Sequence, residues 1–427
     1  MEGKKNVCII GGGLTGMAAA WAASQAGKNA VILERAPCLG GRCTAFYDIP
    51  SGQSLNNCPH VFLACCRKFD SFLEQTDLKR FWKRENEMFF FPPPEEKRTD
   101  SCRFTEAAWL PGMLRLVPGL LQLTYLTINE KIRLISDLLD LKRRETFDGS
   151  FAQWLDLRAI NERVRTRFYE PVILSALSCA LDKPAYKIAR MVFVESFFQK
   201  RNAWNFSLPT ISFREMFDSI LAKKLESLGV RIRRNCGVSQ LNIVNKRIES
   251  VRITSGEEIS ADDFVLAVNF PAARRLLPEL NVLTPFYQPE AISCVHFWTA
   301  RPIFSVPHGV FPGRLIQWIF SSEGENSNYY QAVISGSNDW IHRKNEFESV
   351  FRNEIAQIAP GVQILRQKTV HWSDAVCVPS LNWLNARQDW FKTTVLPDNL
   401  RLCGDWTDSL WPSTMEAAVR SELRAGS

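Results

Sequence analysis

The sequence predicts an α/β fold built around a parallel sheet, and three observations predict it. An apolar run at residues 7–10 is followed by spaced glycines and a strongly helix-forming segment at residues 14–25. A second apolar run, at residues 31–33, ends at an acidic residue. A third run, near residue 402, leads into a Gly-Asp turn and another helical segment. Strands that alternate with helices form parallel sheets, because each crossover returns the chain to the same edge.

The glycines of the first loop predict a bound dinucleotide. Gly11, Gly13 and Gly16 occupy the positions of a GxGxxG loop, which allow a tight turn, close approach of a pyrophosphate, and close packing of helix on strand. The helix that follows points its free N–H groups and positive dipole end at the phosphates. Glu34 ends the next strand, where its carboxylate can accept hydrogen bonds from both ribose hydroxyls. Together these elements predict an adenine dinucleotide.

A second glycine turn narrows the choice of dinucleotide. From Arg35 the chain runs through the pair Gly40-Gly41 to Arg42, and the glycines let the backbone pass close to the cofactor. Arg42 would then lie where a planar cation meets phosphate oxygens or a flavin edge. The alternative is an ordinary turn with a solvated arginine. This extension resembles the N-terminal FAD-binding segment of the amine oxidase and carotenoid desaturase superfamily, which implies FAD as the cofactor.

Composition argues against several classes of protein. The 427 residues carry a formal net charge of +7 without a dense Lys/Arg block, so we expect no nucleic-acid partner. No charge-free apolar stretch approaches the ~20 residues needed to span a bilayer. The first apolar run leads directly into the glycine loop, so we expect no signal peptide. The twelve cysteines include no CxxC pair, so we expect no metal site and interpret them as reduced, apolar thiols of a cytoplasmic protein.

Two interleaved lobes are predicted. The nucleotide-binding lobe is assembled from residues 1–85, 205–280 and 395–427, and the substrate lobe from residues 86–204 and 281–394. The first part of the substrate lobe is mostly helical by pattern. The predicted elements elsewhere are a helix at 211–228, strands at 291–300, 315–320 and 331–335, and a helix at 346–358.

Residues 107–141 predict contact with a membrane surface. The segment is crowded with Leu, Met, Ile and Trp, is broken by Pro111 and Pro118, and is followed by a cluster of Lys and Arg at residues 142–144. Short apolar helices flanked by cations are typical of proteins that lie in the headgroup region of a lipid layer. The alternative is that these helices line a buried apolar tunnel or core, and the two interpretations are compatible.

The C-terminal segment predicts the other end of the cofactor site. A buried strand that ends in Gly404-Asp405 places a carboxylate near the centre of the lobe. A helix then begins near Ser413, with Ser413 as its N-cap and Glu416 completing a capping box. The N-terminus of this helix would stabilise the negative charge that a flavin acquires at N1 and O2 on reduction.

Taken together, these motifs look like those of the FAD-dependent amine oxidoreductases, which include the phytoene desaturases. Within them the chain most resembles the squalene-associated branch, the hydroxysqualene dehydroxylases of hopanoid and C30 isoprenoid pathways. Three features carry this closer resemblance: the segment Asn57-Cys58-Pro59-His60, the leucine-rich helical segment, and the GDWT ending. The resemblance covers nearly the whole chain and implies an FAD-binding Rossmann-like domain with an interleaved substrate domain.

The resemblance also implies roles for individual residues. These are pyrophosphate binding by Gly11, Gly13, Leu14, Thr15 and Gly16, ribose binding by Glu34 beside Arg35, a flavin-side path for Gly41 and Arg42, adenine contact by the backbone of Val238, and contact of Gly404, Asp405 and Met415 with the ribityl and pyrimidine end. The chain departs from the usual pattern at two places. Pro59 stands where the branch has glutamine, and Arg420-Ser421-Glu422 replaces a Ser-Gly pair, which puts close packing of the last helix in doubt.

His60 is the candidate catalytic residue. In the fold of the family this stretch passes near the flavin ring, where an imidazole could donate a proton to a leaving hydroxyl. The alternative is a structural histidine hydrogen-bonded to a backbone carbonyl.

The function that we predict from the sequence is reductive dehydroxylation of hydroxysqualene to squalene. The partners would be a long apolar isoprenoid, the inner face of the cell membrane, where the protein would lie peripherally, and upstream squalene-pathway enzymes. One alternative is desaturation of phytoene or a related carotenoid, which runs flavin chemistry in the opposite sense. A second is a protein that binds FAD or isoprenoid without turnover.

Overall fold

The computed structural model describes residues 4–96, 100–107, 109–110, 112–322 and 328–424. Its strands are β1 Asn6–Ile10, β2 Asn29–Leu33, β3 Ala45–Asp48, β4 Gln53–Asn56, β5 Phe62–Leu63, β6 Trp82–Glu85, β7 Met88–Phe90, β8 Cys102–Phe104, β9 Phe206–Pro209, β10 Arg231–Arg233, β11 Val238–Val244, β12 Arg247–Ile253, β13 Glu258–Ser260, β14 Asp263–Leu266, β15 Pro289–Thr299, β16 His308–Val310, β17 Trp318–Ser321, β18 Tyr329–Ser335, β19 Ile364–Cys377 and β20 Leu400–Leu402. Its α-helices are α1 Leu14–Gln25, α2 Arg67–Gln75, α3 Val117–Gln122, α4 Ile128–Arg143, α5 Phe151–Leu157, α6 Glu162–Val164, α7 Glu170–Leu177, α8 Tyr186–Phe197, α9 Ala222–Ser227, α10 Phe270–Leu276, α11 Lys344–Ile358, α12 Leu381–Thr393 and α13 Met415–Arg424.

A five-stranded parallel sheet forms the centre of the first lobe. Its order is β10-β2-β1-β14-β20, so it draws strands from all three of the segments predicted to build this lobe. The strands are apolar on both faces because helices α1, α9 and α13 cover one side and the β11–β13 sheet, α10 and α12 cover the other. Helix α1 has the bounds that the sequence predicts. The predicted α/β fold class is confirmed.

A seven-stranded mixed sheet forms the centre of the second lobe, in the order β19-β15-β18-β17-β16-β7-β8. One face packs on α11, where alternate residues such as Val295 and Phe297 meet Phe347 and Phe351. The opposite face lines a cavity. The strands and the helix predicted for residues 291–358 are present, with ends shifted by a few residues, because pairing between strands decides where each strand stops.

A helical layer, α3 to α8, closes the second lobe. Its core is aromatic and includes the fully buried rings of Trp154, Tyr169, Tyr186 and Phe193. A π-helical turn, Arg165–Tyr169, leads into α7, where Pro171 removes one backbone donor from the helical ladder. Among the residues that the structure describes, no helix is both long and apolar enough to cross a bilayer. Eleven of the twelve cysteines are buried, and all twelve are unpaired.

Helix α12 shows that the two lobes share a core. The predicted boundaries assign residues 381–393 to the substrate lobe. In the structure, Trp383 and Trp390 of α12 pack with Leu400 of β20 in the core of the nucleotide-binding lobe. A sequence pattern cannot show this because an amphipathic helix records that one face is buried and not which sheet buries it.

Candidate active site

One continuous cavity of about 1150 Å³ joins the two lobes. It begins at the glycine loop and ends between the second sheet and helices α7 and α8. Twelve of the thirteen residues predicted to bind the cofactor line it, and so does His60. The twelve are Gly11, Gly13, Leu14, Thr15, Glu34, Arg35, Gly41, Arg42, Val238, Gly404, Asp405 and Met415. These residues are contributed by three separate segments of the chain and by both ends of the sequence.

The glycine loop is a cradle that side chains would fill. Gly11 has a φ of +106°, and a Cβ there would lie 2.6 Å from the carbonyl oxygen of Ala267. A Cβ on Gly16 would lie 1.9 Å from the oxygen of Gly11, so Gly16 serves the packing of α1 on β1 and does not line the cavity. A Cβ on Gly13 would meet nothing closer than the Cα of Gly41 at 3.9 Å. The space in front of Gly13 therefore belongs to the cavity.

Glu34 is held in place by two backbone bonds. Its carboxylate accepts hydrogen bonds from the N–H of Gly12 at 2.6 Å and the N–H of Ala36 at 2.8 Å. The residue is 8% exposed, and it lines the cavity together with Gly237 and Val238. A carboxylate has more acceptor sites than these two bonds use, so it can still accept from a ribose hydroxyl. The bonds fix the direction in which it does so.

Arg42 and Asp405 form an ion pair at the middle of the cavity. The guanidinium Nη2 lies 2.5 Å from Oδ1 of Asp405, and Nη1 donates to the carbonyl of Ala375 at 2.7 Å. Burial lowers the pKa of Arg42 and the adjacent carboxylate raises it, with a net rise. The alternative of a solvated arginine does not hold, because this side chain joins the second glycine turn to strand β19 and to the Gly404-Asp405 turn.

The C-terminal helix is capped differently from the prediction. It begins at Met415, and the hydroxyl of Thr414, not of Ser413, accepts from a backbone N–H of the first turn, that of Ala417, at 3.2 Å. Glu416 accepts from the N–H groups of Lys68 and Phe69 at the start of α2. The predicted capping box is therefore wrong, because the helix begins one residue later and its acid faces a neighbouring helix.

The residues that depart from the family pattern near the C-terminus form ion pairs or hydrogen bonds within the structure. Arg420 forms an ion pair with the buried Asp408 at 3.1 Å. The hydroxyl of Ser421 accepts from the N–H of Gly404 at 2.9 Å. Glu422 lies 3.2 Å from Arg401. The helix still packs closely on the Gly404-Asp405 turn, although Ser421 and Glu422 stand in the segment where the family has Ser-Gly.

His60 makes the contact of a structural histidine. Its Nδ1 lies 2.9 Å from the carbonyl oxygen of Cys58, which can only accept, so Nδ1 carries the proton and Nε2 a lone pair. Burial lowers the pKa of His60, the bond to Cys58 opposes this shift, and the Arg42 cation adds to it. The ring packs edge-to-face on Phe213. Near neutral pH the imidazole is uncharged and offers an acceptor to the cavity.

A further polar cluster at the cavity wall consists of Asn269, Tyr287 and Asp374. The sequence patterns do not mark these three residues as a group. Asp374 of β19 and Asn269 line the cavity, and the amide of Asn269 donates to Asp374 at 3.0 Å. The hydroxyl of Tyr287 donates to the other oxygen of Asp374. Asn269 follows the carboxyl end of β14 and caps α10. Its position at the carboxyl edge of a parallel sheet is the signal that would have identified it.

The far arm of the cavity is apolar, and we name it the apolar arm. It lies between the second sheet and helices α7 and α8, and it contains Glu195 as its single carboxylate among the described lining residues of that arm. The residues that build its wall are Met88, Phe90, Phe104, Leu123, Phe168, Pro171, Val172, Ser175, Ala176, Met191, Val192, Phe197, Trp204, Phe206, Val310, Trp318, Phe320 and Val333. Such a space suits a hydrocarbon chain, because its binding needs removal of apolar surface from water and few polar contacts.

Comparison with known proteins places the chain among flavoproteins. It matches the family model described as flavin containing amine oxidoreductase over residues 14–425. It is 23% identical over 432 residues to a hydroxysqualene dehydroxylase of Zymomonas mobilis, covering 97% of this chain and 96% of the relative. It is 22% identical to the 15-cis-phytoene desaturase of Solanum lycopersicum, covering 97% of this chain and 76% of the relative. An oxidoreductase from Methanosarcina mazei has the same fold, with a TM-score of 0.78 at 14% identity over 99% of both chains.

Proposed function

Because the chain belongs to the flavin containing amine oxidoreductase family, we propose that it removes the hydroxyl group of hydroxysqualene to give squalene. The protein is an FAD-dependent oxidoreductase. The observation that carries the proposal is one continuous cavity in which a dinucleotide cradle opens directly into the apolar arm. A C30 hydrocarbon with one hydroxyl group fits the chemistry of that arm.

The residues present fit FAD. The open space at Gly13 admits a pyrophosphate, Glu34 offers acceptors to the adenosine ribose, and the ion-paired Asp405 offers a carboxylate to the ribityl chain. Thr414 and Met415 place the N-terminus of α13 on the cavity wall, where a helix dipole favours negative charge. When bound, FAD supplies a donor or acceptor of hydride.

The protein's own groups would orient the substrate and exclude water. The apolar arm buries the hydrocarbon chain. His60 can accept a hydrogen bond at Nε2 from the substrate hydroxyl and so orient it, but as a neutral imidazole it has no proton there to donate. We therefore propose that His60 orients the substrate and does not donate a proton to it.

The extent of similarity favours dehydroxylation over desaturation. The chain covers 96% of the Zymomonas mobilis dehydroxylase and 76% of the Solanum lycopersicum desaturase. Phytoene desaturation stays the second candidate, because its substrate is also a long apolar isoprenoid and would bind in the same kind of arm.

Anaerobic product analysis tests the proposal. The purified protein with FAD, reduced by dithionite, is given hydroxysqualene, and the oxidised protein is given phytoene; products are identified by mass. We expect squalene from the first and no desaturated product from the second. Desaturated phytoene without squalene would establish the second candidate, and no product from either would favour binding without turnover.

We also propose that the protein lies on the surface of the cell membrane, on its inner face, where its substrate dissolves. Five large apolar side chains from the predicted segment are exposed, and we name them the apolar face: Trp109, Leu114, Leu121, Ile128 and Ile132. Leu134, Leu138 and Leu141 of α4 are instead buried, so the helix has both an interior and an exterior apolar side. Exposed cations at Lys142 and Arg143 end the same helix, and they favour anionic headgroups.

Flotation with lipid vesicles tests the location. Vesicles containing one-third anionic lipid should carry the protein upward, and replacing Leu121, Ile128 and Ile132 together by serine should abolish this. The matched control replaces the exposed Val282 and Val395, which lie outside the apolar face, by serine. Equal flotation of both variants would contradict the assignment of the membrane surface.

A further inference from the structure

One wall of the apolar arm is built from aromatic rings in mutual contact. Trp318 and Phe320 lie two residues apart on β17, so both side chains are on the same face of the sheet. Their rings are parallel, with centroids 5.3 Å apart. Phe206 of β9 meets Trp318 edge-to-face at 5.7 Å. All three line the cavity, and we name them the aromatic wall.

The aromatic wall adjoins the cavity segment that contains His60. Phe206 pairs with Leu63 across strands β9 and β5. Leu63 ends the segment of residues 58–63, all of which line the cavity and which include His60. The aromatic wall therefore adjoins the segment that the family resemblance places near the flavin ring.

A hydrogen bond holds the ring of Trp318 by its polar edge. Its Nε1–H, the only hydrogen-bond donor of an indole, donates to the hydroxyl of Ser175 on α7 at 2.6 Å. That hydroxyl in turn donates to the carbonyl of Pro171 at 2.5 Å. Because these bonds use the polar edge of the indole, what Trp318 offers to a ligand is its apolar ring.

His308, a titratable group in ring contact with the aromatic wall, brings no positive charge to it. His308 contacts Phe206 at 4.9 Å and Trp318 at 5.9 Å between ring centroids. Burial lowers the pKa of His308 to about 4, so the ring is neutral near pH 7. A cation next to the aromatic wall would therefore meet ring quadrupoles, which attract it, without repulsion from His308.

We propose that Trp318 is a catalytic residue that stabilises a carbocation formed on the isoprenoid. The proposal rests on the proposed function. In dehydroxylation the C–O bond breaks as the oxygen takes a proton from solvent, so water leaves and the allylic carbon becomes positive. Bound FAD in its reduced form would supply the hydride for the new C–H bond, and an external two-electron donor would return the cofactor to that form. In desaturation bound FAD in its oxidised form would accept a hydride from the hydrocarbon, and the cation left behind would lose a proton. Both candidate reactions thus place positive charge on the hydrocarbon.

Stepwise fluorination of Trp318 tests the proposal, because each fluorine weakens the ring quadrupole with little change of shape. Mono-, di- and trifluorotryptophan are incorporated at position 318 alone, and the single-turnover rate of the reduced protein with hydroxysqualene is measured. We expect the logarithm of the rate to fall in proportion to the number of fluorines, with a total loss of roughly 10- to 30-fold. Affinity for squalene, which is uncharged, should stay within about twofold. The same series at Trp340, which packs on Phe347 outside the cavity, is the control.

A binding measurement keeps the proposal testable without turnover. A squalene analogue with a quaternary ammonium centre at the hydroxyl-bearing position is compared with its neutral carbon isostere. The unsubstituted protein should bind the ammonium analogue several-fold more tightly, and trifluorination of Trp318 should remove this preference. Turnover of hydroxysqualene at equal rates throughout the series would overturn the role of Trp318 and leave the proposed function intact. Absence of turnover with hydroxysqualene and phytoene would overturn the proposed function, and equal binding of the two analogues would then overturn the inference as well.

Discussion

Replacing Gly13 by alanine should separate FAD binding from folding. Gly13 has a φ of −72° and a ψ of −177°, an extended conformation that alanine adopts freely. The new Cβ would meet only the Cα of Gly41, at 3.9 Å. The free energy of unfolding without FAD should therefore be unchanged or rise by about 0.4–1 kcal/mol, since alanine restricts the unfolded chain.

The same methyl group occupies the space through which a pyrophosphate approaches. Moving the phosphates away would lengthen at least one hydrogen bond to a charged group, and each such bond contributes about 1.5–3 kcal/mol. The Kd for FAD should rise roughly 10- to 100-fold for each bond lost. Urea unfolding of the protein without FAD and titration of FAD fluorescence measure the two quantities separately.

Gly16→Ala is the matched control for Gly13→Ala. A Cβ at position 16 would lie 1.9 Å from the oxygen of Gly11, so this variant should lose stability even without FAD. Two results would refute the argument for Gly13. One is an unchanged Kd for FAD in Gly13→Ala, and the other is a loss of stability without FAD as large as that of Gly16→Ala.

Three further predictions follow from the site and its supports. His60→Ala should keep the turnover rate within about threefold, because a neutral imidazole without a proton on Nε2 is not a general acid; a loss of 100-fold or more, as is usual for removal of a catalytic acid, would contradict this. Ser421→Ala should weaken FAD binding and shift the flavin absorption bands, because the N–H of Gly404 loses its acceptor, and unchanged spectra and Kd would show that the bond is dispensable. Arg366 holds the pKa of Asp48 at about 2, so the ion pair stabilises the fold above pH ~4 and its contribution is lost as pH falls through 2. Wild type should exceed Asp48→Asn by about 2 kcal/mol more at pH 6 than at pH 2 in chemical unfolding, and a pH-independent difference would exclude this linkage.

The cofactor end of the site could be predicted because its requirements are carried by the backbone. Only glycine tolerates the φ of +106° at position 11, and only an absent side chain leaves room at position 16. Each of these constraints requires a particular residue type at a fixed position in the loop, so they can be recognised in the sequence. Glu34 is similar, since its carboxylate must reach both the loop N–H of Gly12 and the ribose.

Side-chain partners across long sequence separations could not be predicted in the same way. The capping box at the last helix failed because Glu416 bonds to the start of α2, almost 350 residues earlier. The glycine turn and the family resemblance together predict a flavin-side position for Arg42. Its partners Asp405 and Ala375 are brought to it by the parallel sheet and by β19, and nothing in the turn itself shows this.

The apolar arm has no recognisable sequence motif, because its lining needs only to enclose a suitable volume with apolar side chains. Its wall draws residues from six strands and from helices of the second lobe, and many other apolar side chains would enclose a similar space. The aromatic wall is an exception within the apolar arm, since a flat ring beside a developing cation does what an aliphatic side chain of equal volume cannot. Replacing Trp318 by leucine should therefore cost more in rate than in squalene affinity, whereas replacing Val310 by leucine should alter affinity and rate together. A similar pattern for both variants would mean that the whole apolar arm acts by shape alone.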